Sequence, residues 1–130
     1  MSAYDTALTY AKQRMQFMRP LVGFQIVQDR LVRMLAEVTA MQLYCMQIAR
    51  LAEAGKVSDG IAGLAKVNNT RKARWVISEA RDLLGGNGIL LENHVIRHMT
   101  DIEMLHTYEG TETIQTLIVG RDITGVSAFA

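Results

Sequence analysis

The chain has 130 residues, 49% apolar and 21% charged, with 14 Lys and Arg against 13 Asp and Glu for a formal net charge of +1. That size is close to a single packing unit, the composition is that of an ordinary globular core, and the balanced charge leaves no electrostatic footprint for nucleic acid or an anionic membrane. No apolar run approaches the ~20 residues of a bilayer span, and the N-terminal MSAYDTALTY lacks the basic and apolar regions of a signal peptide.

One proline and eight methionines mark the chain as helix-rich. Tyr4, Leu8, Ala11, Met15 and Met18 recur in steps of four and three, the stripe of an amphipathic helix. The spacing predicts that this helix ends at Pro20, because a proline disfavours helical geometry in the residue before it. A second stripe, Phe24, Val27, Leu31, Met34, Val38, Met41, Cys45, Ile48 and Ala52, predicts a helix of roughly 30 residues and ~45 Å, stopped at Gly55. The lone Cys45 cannot form an internal disulfide, and its place in the stripe predicts a buried structural thiol.

Ser58 with Asp59 reads as an N-cap followed by a first-turn acid, opening a third helix with Ile61, Ala65, Ala73, Val76, Ala80 and Leu83 on one side. LLGGNG, Leu83 to Gly88, ends it and starts a backbone-exposed loop. A shorter helix around Val95 to Leu105 uses Ile96, Met99 and Ile102, and a last one begins near Thr111 and runs through Ile114, Leu117 and Ile118 toward Gly125. Three long helices and two shorter ones predict an all-α, up-down four-helix-type bundle, with residues 1–130 as one helical domain. Helix 2 carries extra apolar residues, Leu35, Leu43 and Met46, that predict a second covered surface, in an oligomer or against a further domain.

Glu103 with His106 is a single Glu-x-x-His, and His94 with His98 an i,i+4 pair. Two ligands make neither a closed nor a catalytic metal site, so surface or capping histidines are expected and no metal. The GGNG loop follows a helix rather than a strand, which removes the Rossmann and P-loop readings. Its spacing leaves open a helix-ending turn or a backbone cradle for an anion. Arg14 at the edge of an apolar stripe reads as a snorkelling side chain, and Trp75 as core or interface. Glu109 falls outside regular helix, with Gly110 giving the backbone room to turn and Thr111 as the next N-cap. Spacing alone leaves open whether it stabilises the following helix N-terminus or does chemistry.

Five ordered blocks decide more. RMQF (Arg14–Phe17), FQIVQDRLVRMLAE (Phe24–Glu37), ARDLLGGNGI (Ala80–Ile89), HVIRHMTDIEMLHTYEGT (His94–Thr111) and LIVGRDITGVSAF (Leu117–Phe129) together resemble the C-terminal helical domain of the flavin-dependent acyl-CoA dehydrogenases. Within that family the chain is most similar to the glutaryl-CoA dehydrogenases, through HVIRH and the terminal GRDITGVSAF. The resemblance covers the chain from Tyr10 onward. It implies that Met1 is a start within a longer enzyme, beyond an N-terminal helical domain and a central β domain, with FAD and thioester bound at the junction.

By the same resemblance Glu109 is the catalytic base that takes the α-proton of an acyl-CoA, while the β-hydrogen leaves as hydride to the flavin. A carboxylate in a dry pocket suits that task, because burial raises its pKa toward the operating pH and a bend lets it reach ~3 Å from the proton. The thioester oxygen is bonded, in the family, by a flavin hydroxyl and the base residue's own N–H. Gly110 resembles a substrate contact and Tyr108 a wall of the acyl pocket. Thr111 resembles a residue bonding an FAD phosphate at a helix N-terminus, and Thr113 stands where relatives carry another polar flavin contact. Arg14, Phe17, Gln25 and the turn Asp82, Leu83, Leu84, Gly85, Gly86 resemble the part gripping the adenine-diphosphate end of a neighbouring subunit's FAD. Gln16 replaces a common Thr there, Asp82 replaces the Gln of many relatives, and Phe129 resembles a flavin contact from the tail.

The expectation is therefore the FAD-binding, catalytic-base domain of an acyl-CoA dehydrogenase, inactive by itself. The enzyme would act on an acyl-CoA such as glutaryl-CoA, with crotonyl-CoA as product if it decarboxylates. The resemblance implies a homotetramer, an electron-transfer flavoprotein as acceptor, and a bacterial cytoplasm or mitochondrial matrix as compartment. The rival expectation is a stand-alone helical oligomerisation module without catalysis.

Overall fold

In a computed structural model describing residues 1–129, helices account for nearly all regular structure. They are α1 (Ser2–Gln13), α2 (Gln25–Glu53), α3 (Asp59–Leu83), α4 (Val95–Thr107) and α5 (Glu112–Thr124), and short 3-10 turns fill the corners. The fold is all-α, a helical bundle as expected, but with two long helices of 29 and 25 residues rather than three.

The shortfall is in α1. Its periodicity runs on to Met18, yet the helix stops at Gln13, and β1 (Met15–Gln16) turns back antiparallel on β2 (Arg19–Pro20), pairing Met15 with Pro20 and Gln16 with Arg19. The two residues between, Phe17 and Met18, both have left-handed backbones (φ 49° and 65°), as a two-residue hairpin turn demands. Bulky side chains rarely adopt that conformation. Here the Phe17 ring meets Phe24 edge-on at 6.3 Å, and the Arg19 guanidinium lies 3.8 Å from the Phe24 ring centroid. Met15 and Met18, expected on the buried stripe, are exposed.

α3 packs against each of the other four helices. Ser58 caps it as expected, its side chain accepting from the Ile61 N–H at 3.2 Å. The core gathers Ala3, Tyr4, Ala7 and Ala11 of α1, Val27, Leu31, Met34 and Val38 of α2, Val76, Ala80 and Leu83 of α3, Leu84 after it, and Val95 of α4. Small α1 residues let that helix approach α3 closely, while Arg30 of α2 reaches Glu79 at 2.6 Å and Asp82 at 2.7 Å on α3. At the end of α3 the chain folds back so tightly that a Cβ at Gly88 would sit 2.1 Å from the Arg81 carbonyl oxygen. Only glycine fits there.

The buried stripe of α2 ends at Val38. Beyond it Cys45 is exposed, not buried as its spacing predicts: Asn69 of α3 reaches its sulfur at 3.4 Å, but the thiol borders an open groove lined by Met41, Met46, Asn69 and Leu105. Leu35, Leu43, Met46 and Trp75 also face outward, and on α5 Ile114 is exposed while Gln115 and Val119 turn to α3 at Gly63. Among the described residues no helix is long and apolar enough to cross a membrane.

The core predicts its own mutational profile. Met34 is fully buried and Leu43 is 59% exposed. Met34→Ala is expected to lower unfolding free energy by about 2–5 kcal/mol, and Leu43→Ala to change it by no more than about 0.5 kcal/mol, both read by urea denaturation.

Candidate functional site

Two groups of the residues singled out by sequence come together, at opposite ends of α3. The first is the corner between α4 and α5. α4 ends at Thr107, and Tyr108, Glu109 and Gly110 form a bend before Thr111 caps α5, its hydroxyl accepting from the Ile114 N–H at 3.4 Å. Glu109 has φ 55° and Gly110 φ 89°. The left-handed region is costly for a side chain with a Cβ, so the bend needs anchors.

Those anchors come from residues that the sequence did not single out. Gln115 Nε2 donates to the Glu109 carbonyl at 2.8 Å. The amide is packed between two glycines: a Cβ at Gly110 would lie 2.7 Å from its Nε2, and one at Gly63 2.9 Å from its Oε1. Lys66 of α3 donates to the carbonyls of Tyr108 and Gly110. The Glu109 side chain is exposed in this chain, so the dry setting expected for a base needs cover from outside the described residues. Thr113 is exposed in the first turn of α5.

Beside the corner runs a polar network. Arg71 donates to Glu112, Arg74 donates to Glu103 at 2.6 Å, and His106 meets Thr70 Oγ1 at 3.0 Å and Glu112 Oε2 at 3.2 Å. Glu103 and His106, which share a metal-ligand spacing, are thus engaged by α3 arginines and Thr70. His94 occupies the N-cap position of α4, and His98 meets Ser2 Oγ at 3.1 Å. Among the described residues no three His, Cys, Asp or Glu side chains converge.

The second group lies where α1, the hairpin and the end of α3 meet. Arg14, Gln16 and Asp82 to Gly86 line one shallow cleft of ≈ 340 Å³. Nothing lies within 4 Å of a Cβ built on Gly85 or Gly86, so their backbone is open to an incoming group. Asp82 is already held by Arg30 and by Arg81, at 2.7 and 3.2 Å, so it is fixed within the protein rather than free. Phe17 stands on the hairpin, 84% exposed, and Gln25 is exposed at the start of α2. Phe129 lies in the irregular tail beyond Gly125, 41% exposed. From Lys66 to Asp82 is 16 residues of one helix, about 24 Å.

The family model described as acyl-CoA dehydrogenase, C-terminal domain, matches residues 1–124. The chain belongs to the acyl-CoA dehydrogenase family. Its fold superposes on a glutaryl-CoA dehydrogenase from Mycobacterium smegmatis with a TM-score of 0.96 and 40% identity, over 99% of this chain and 33% of that one. A glutaryl-CoA dehydrogenase structure from the same organism, in complex with FADH2, matches with a TM-score of 0.95 and 35% identity over 98% of this chain and 33% of that one. A 3-(aryl)acrylate reductase of Clostridium sporogenes is 30% identical over 94% of this chain and 32% of its own length. This acyl-CoA dehydrogenase domain spans about a third of the relatives it matches. The family is FAD-dependent and its members are oxidoreductases, which fits the enzyme reading and not the stand-alone module.

The network at the corner has a pH signature. Arg71 donates to the Glu112 carboxylate and holds its pKa below the ordinary value of 4.5. A group depressed in the folded state stabilises the fold fully above its unfolded value, and that contribution disappears as pH falls through the folded value. Arg71→Met should therefore reduce stability slightly at neutral pH. The gap from the parent should narrow as pH falls below about 4.5, read by thermal denaturation across pH.

Proposed function

We propose that this domain supplies the catalytic base and part of the flavin site of an acyl-CoA dehydrogenase, closest in kind to the glutaryl-CoA enzymes, in a longer protein with further domains. The observation that carries the reading is the bend at Glu109. A carboxylate on a left-handed residue, its own carbonyl held by Gln115 and its neighbours' carbonyls by Lys66 in front of a capped helix, is an arrangement that local stability does not require.

In this reading Glu109 takes the α-proton of the acyl thioester onto its carboxylate. FAD, when bound, accepts the β-hydrogen as hydride. Tyr108 and Gly110 border the acyl chain, and the Glu109 N–H is placed to bond the thioester oxygen and acidify the α-carbon. Thr111 and Thr113 sit where the α5 N-terminus favours a phosphate.

The fit of the rest of the flavin is supported by the cleft that joins Arg14 to the open Gly85–Gly86 backbone, which a flat or anionic group can approach without meeting a side chain. Phe17 on the hairpin, Gln25 in the first turn of α2 and Phe129 in the tail, all exposed, complete the residues read as flavin contacts. The separation of about 24 Å along α3 favours the second group serving a neighbouring subunit's flavin, in a homotetramer. The exposed apolar residues of α2, Leu35, Leu43 and Met46, are the surface such an assembly would cover.

The substrate class is an acyl-CoA, glutaryl-CoA in the nearest reading with crotonyl-CoA as decarboxylated product, and the acceptor an electron-transfer flavoprotein. The compartment is the cytoplasm in a bacterium or the mitochondrial matrix in a eukaryote. The isolated domain is inactive.

In the flavin-loaded full-length enzyme, Glu109→Gln keeps the size of the side chain and removes the base. Flavin reduction by glutaryl-CoA, followed by stopped-flow absorbance, should slow by about 10²–10⁴-fold with flavin still bound. Normal reduction by that variant contradicts the assignment.

A further inference from the structure

Three consecutive carbonyls of the bend are held by the protein: Tyr108 and Gly110 by the Lys66 ammonium, and Glu109 by Gln115 at 2.8 Å. The corresponding donors are unspent, since among the described residues no acceptor takes the N–H of Glu109, Gly110 or Thr111. The bend therefore turns its acceptors inward and leaves a row of donors facing out.

Lys66 has a particular hold on one of them. A planar trans peptide fixes the Glu109 N–H opposite to the Tyr108 carbonyl, so fixing the carbonyl fixes the direction of the N–H. A charge-assisted bond accepted by that carbonyl also polarises the peptide and strengthens its N–H as a donor. The half-buried ammonium is 2.6 Å from the Gly110 oxygen on the far side of Glu109 and 5.6 Å from the Tyr108 ring centroid. A tie between α3 and the corner would need only one of these contacts. Lys66 clamps the peptides on either side of the left-handed Glu109–Gly110 pair, and Gln115 holds the peptide between them.

We propose that Lys66 is a positioning residue for thioester polarisation. Its ammonium orients and polarises the Tyr108–Glu109 peptide, so that the Glu109 N–H is presented ready-made to the carbonyl oxygen of an acyl thioester. The proton-transfer geometry at the Glu109 carboxylate is set by the same clamp. The inference rests on the reading of Glu109 as base and adds to it a residue 42 positions away from Tyr108 in sequence.

The test uses the flavin-loaded full-length enzyme carrying Lys66→Met, Lys66→Arg or Glu109→Gln, with crotonyl-CoA as the spectroscopic probe and glutaryl-CoA as the reductant. Raman difference spectra of bound crotonyl-CoA report how strongly its thioester carbonyl is polarised. In Lys66→Met the carbonyl stretch should move back toward its frequency in free solution, and flavin reduction should slow by roughly 10²-fold with little change in KM, the scale of a small misplacement of reacting groups. Lys66→Arg, which keeps charged donors, should restore part of both. If Lys66→Met loses its flavin, Lys66→Gln is read by the same two signals and should show the same displacement. An unshifted carbonyl stretch with normal reduction in the flavin-loaded Met or Gln variant overturns the role of Lys66. If Glu109→Gln is inactive at the same time, the base assignment stands; if Glu109→Gln is fully active, the base assignment itself falls.

Discussion

Everything in this domain depends on the burial of α3 among the other four helices. Its C-terminal half supplies Val76, Ala80 and Leu83 to the core against α1 and α2, and its N-terminal half supplies Gly63 and Lys66 to the α4–α5 corner. Because 25 residues of one helix span about 38 Å, α3 acts as a ruler between two regions that have no direct connection in sequence. Arg30 strengthens the tie at one end by bridging Glu79 and Asp82, and Arg71 and Arg74 do so at mid-helix by holding Glu112 and Glu103. The core is therefore also the frame that sets the distance between candidate chemical groups.

The corner shows how such a frame holds a conformation that a short peptide would leave. Left-handed Glu109 is costly alone, and its partners are rigid: a glutamine wedged between glycines and an ammonium bonded to two carbonyls. The hairpin after α1 is built on the same terms, with Phe17 and Met18 left-handed and the Phe24 ring between Phe17 and Arg19. Both strained places carry residues proposed to meet ligand, in line with the tendency of strained backbone to gather at functional sites.

Much of this was legible in the sequence. The caps Ser58 and Thr111 are local chemistry, a hydroxyl placed three residues before the N–H it accepts, and both hold in the structure. The blocks around Glu109 pointed to the family directly. What failed has a common cause in packing between distant segments. Met15 and Met18 extend the period of α1, but nothing in their residue types signals a turn through left-handed Phe17 and Met18. Cys45 continues the α2 stripe, yet what it meets on α3 is the polar Asn69 at the edge of an open groove, and the thiol is exposed. Nothing in the sequence singles out Lys66, whose meaning comes only from carbonyls 42 and 44 residues away.

The most direct test of the central claim is a crystal structure of the full-length, flavin-loaded enzyme with an unreactive acyl-CoA thioether bound in place of substrate. The account predicts that the Glu109 carboxylate stands about 3–3.5 Å from the α-carbon, with Arg14 and the Asp82–Gly86 turn against the flavin of a neighbouring subunit. A different carboxylate at the α-carbon, with Glu109 turned away into solvent, would contradict it.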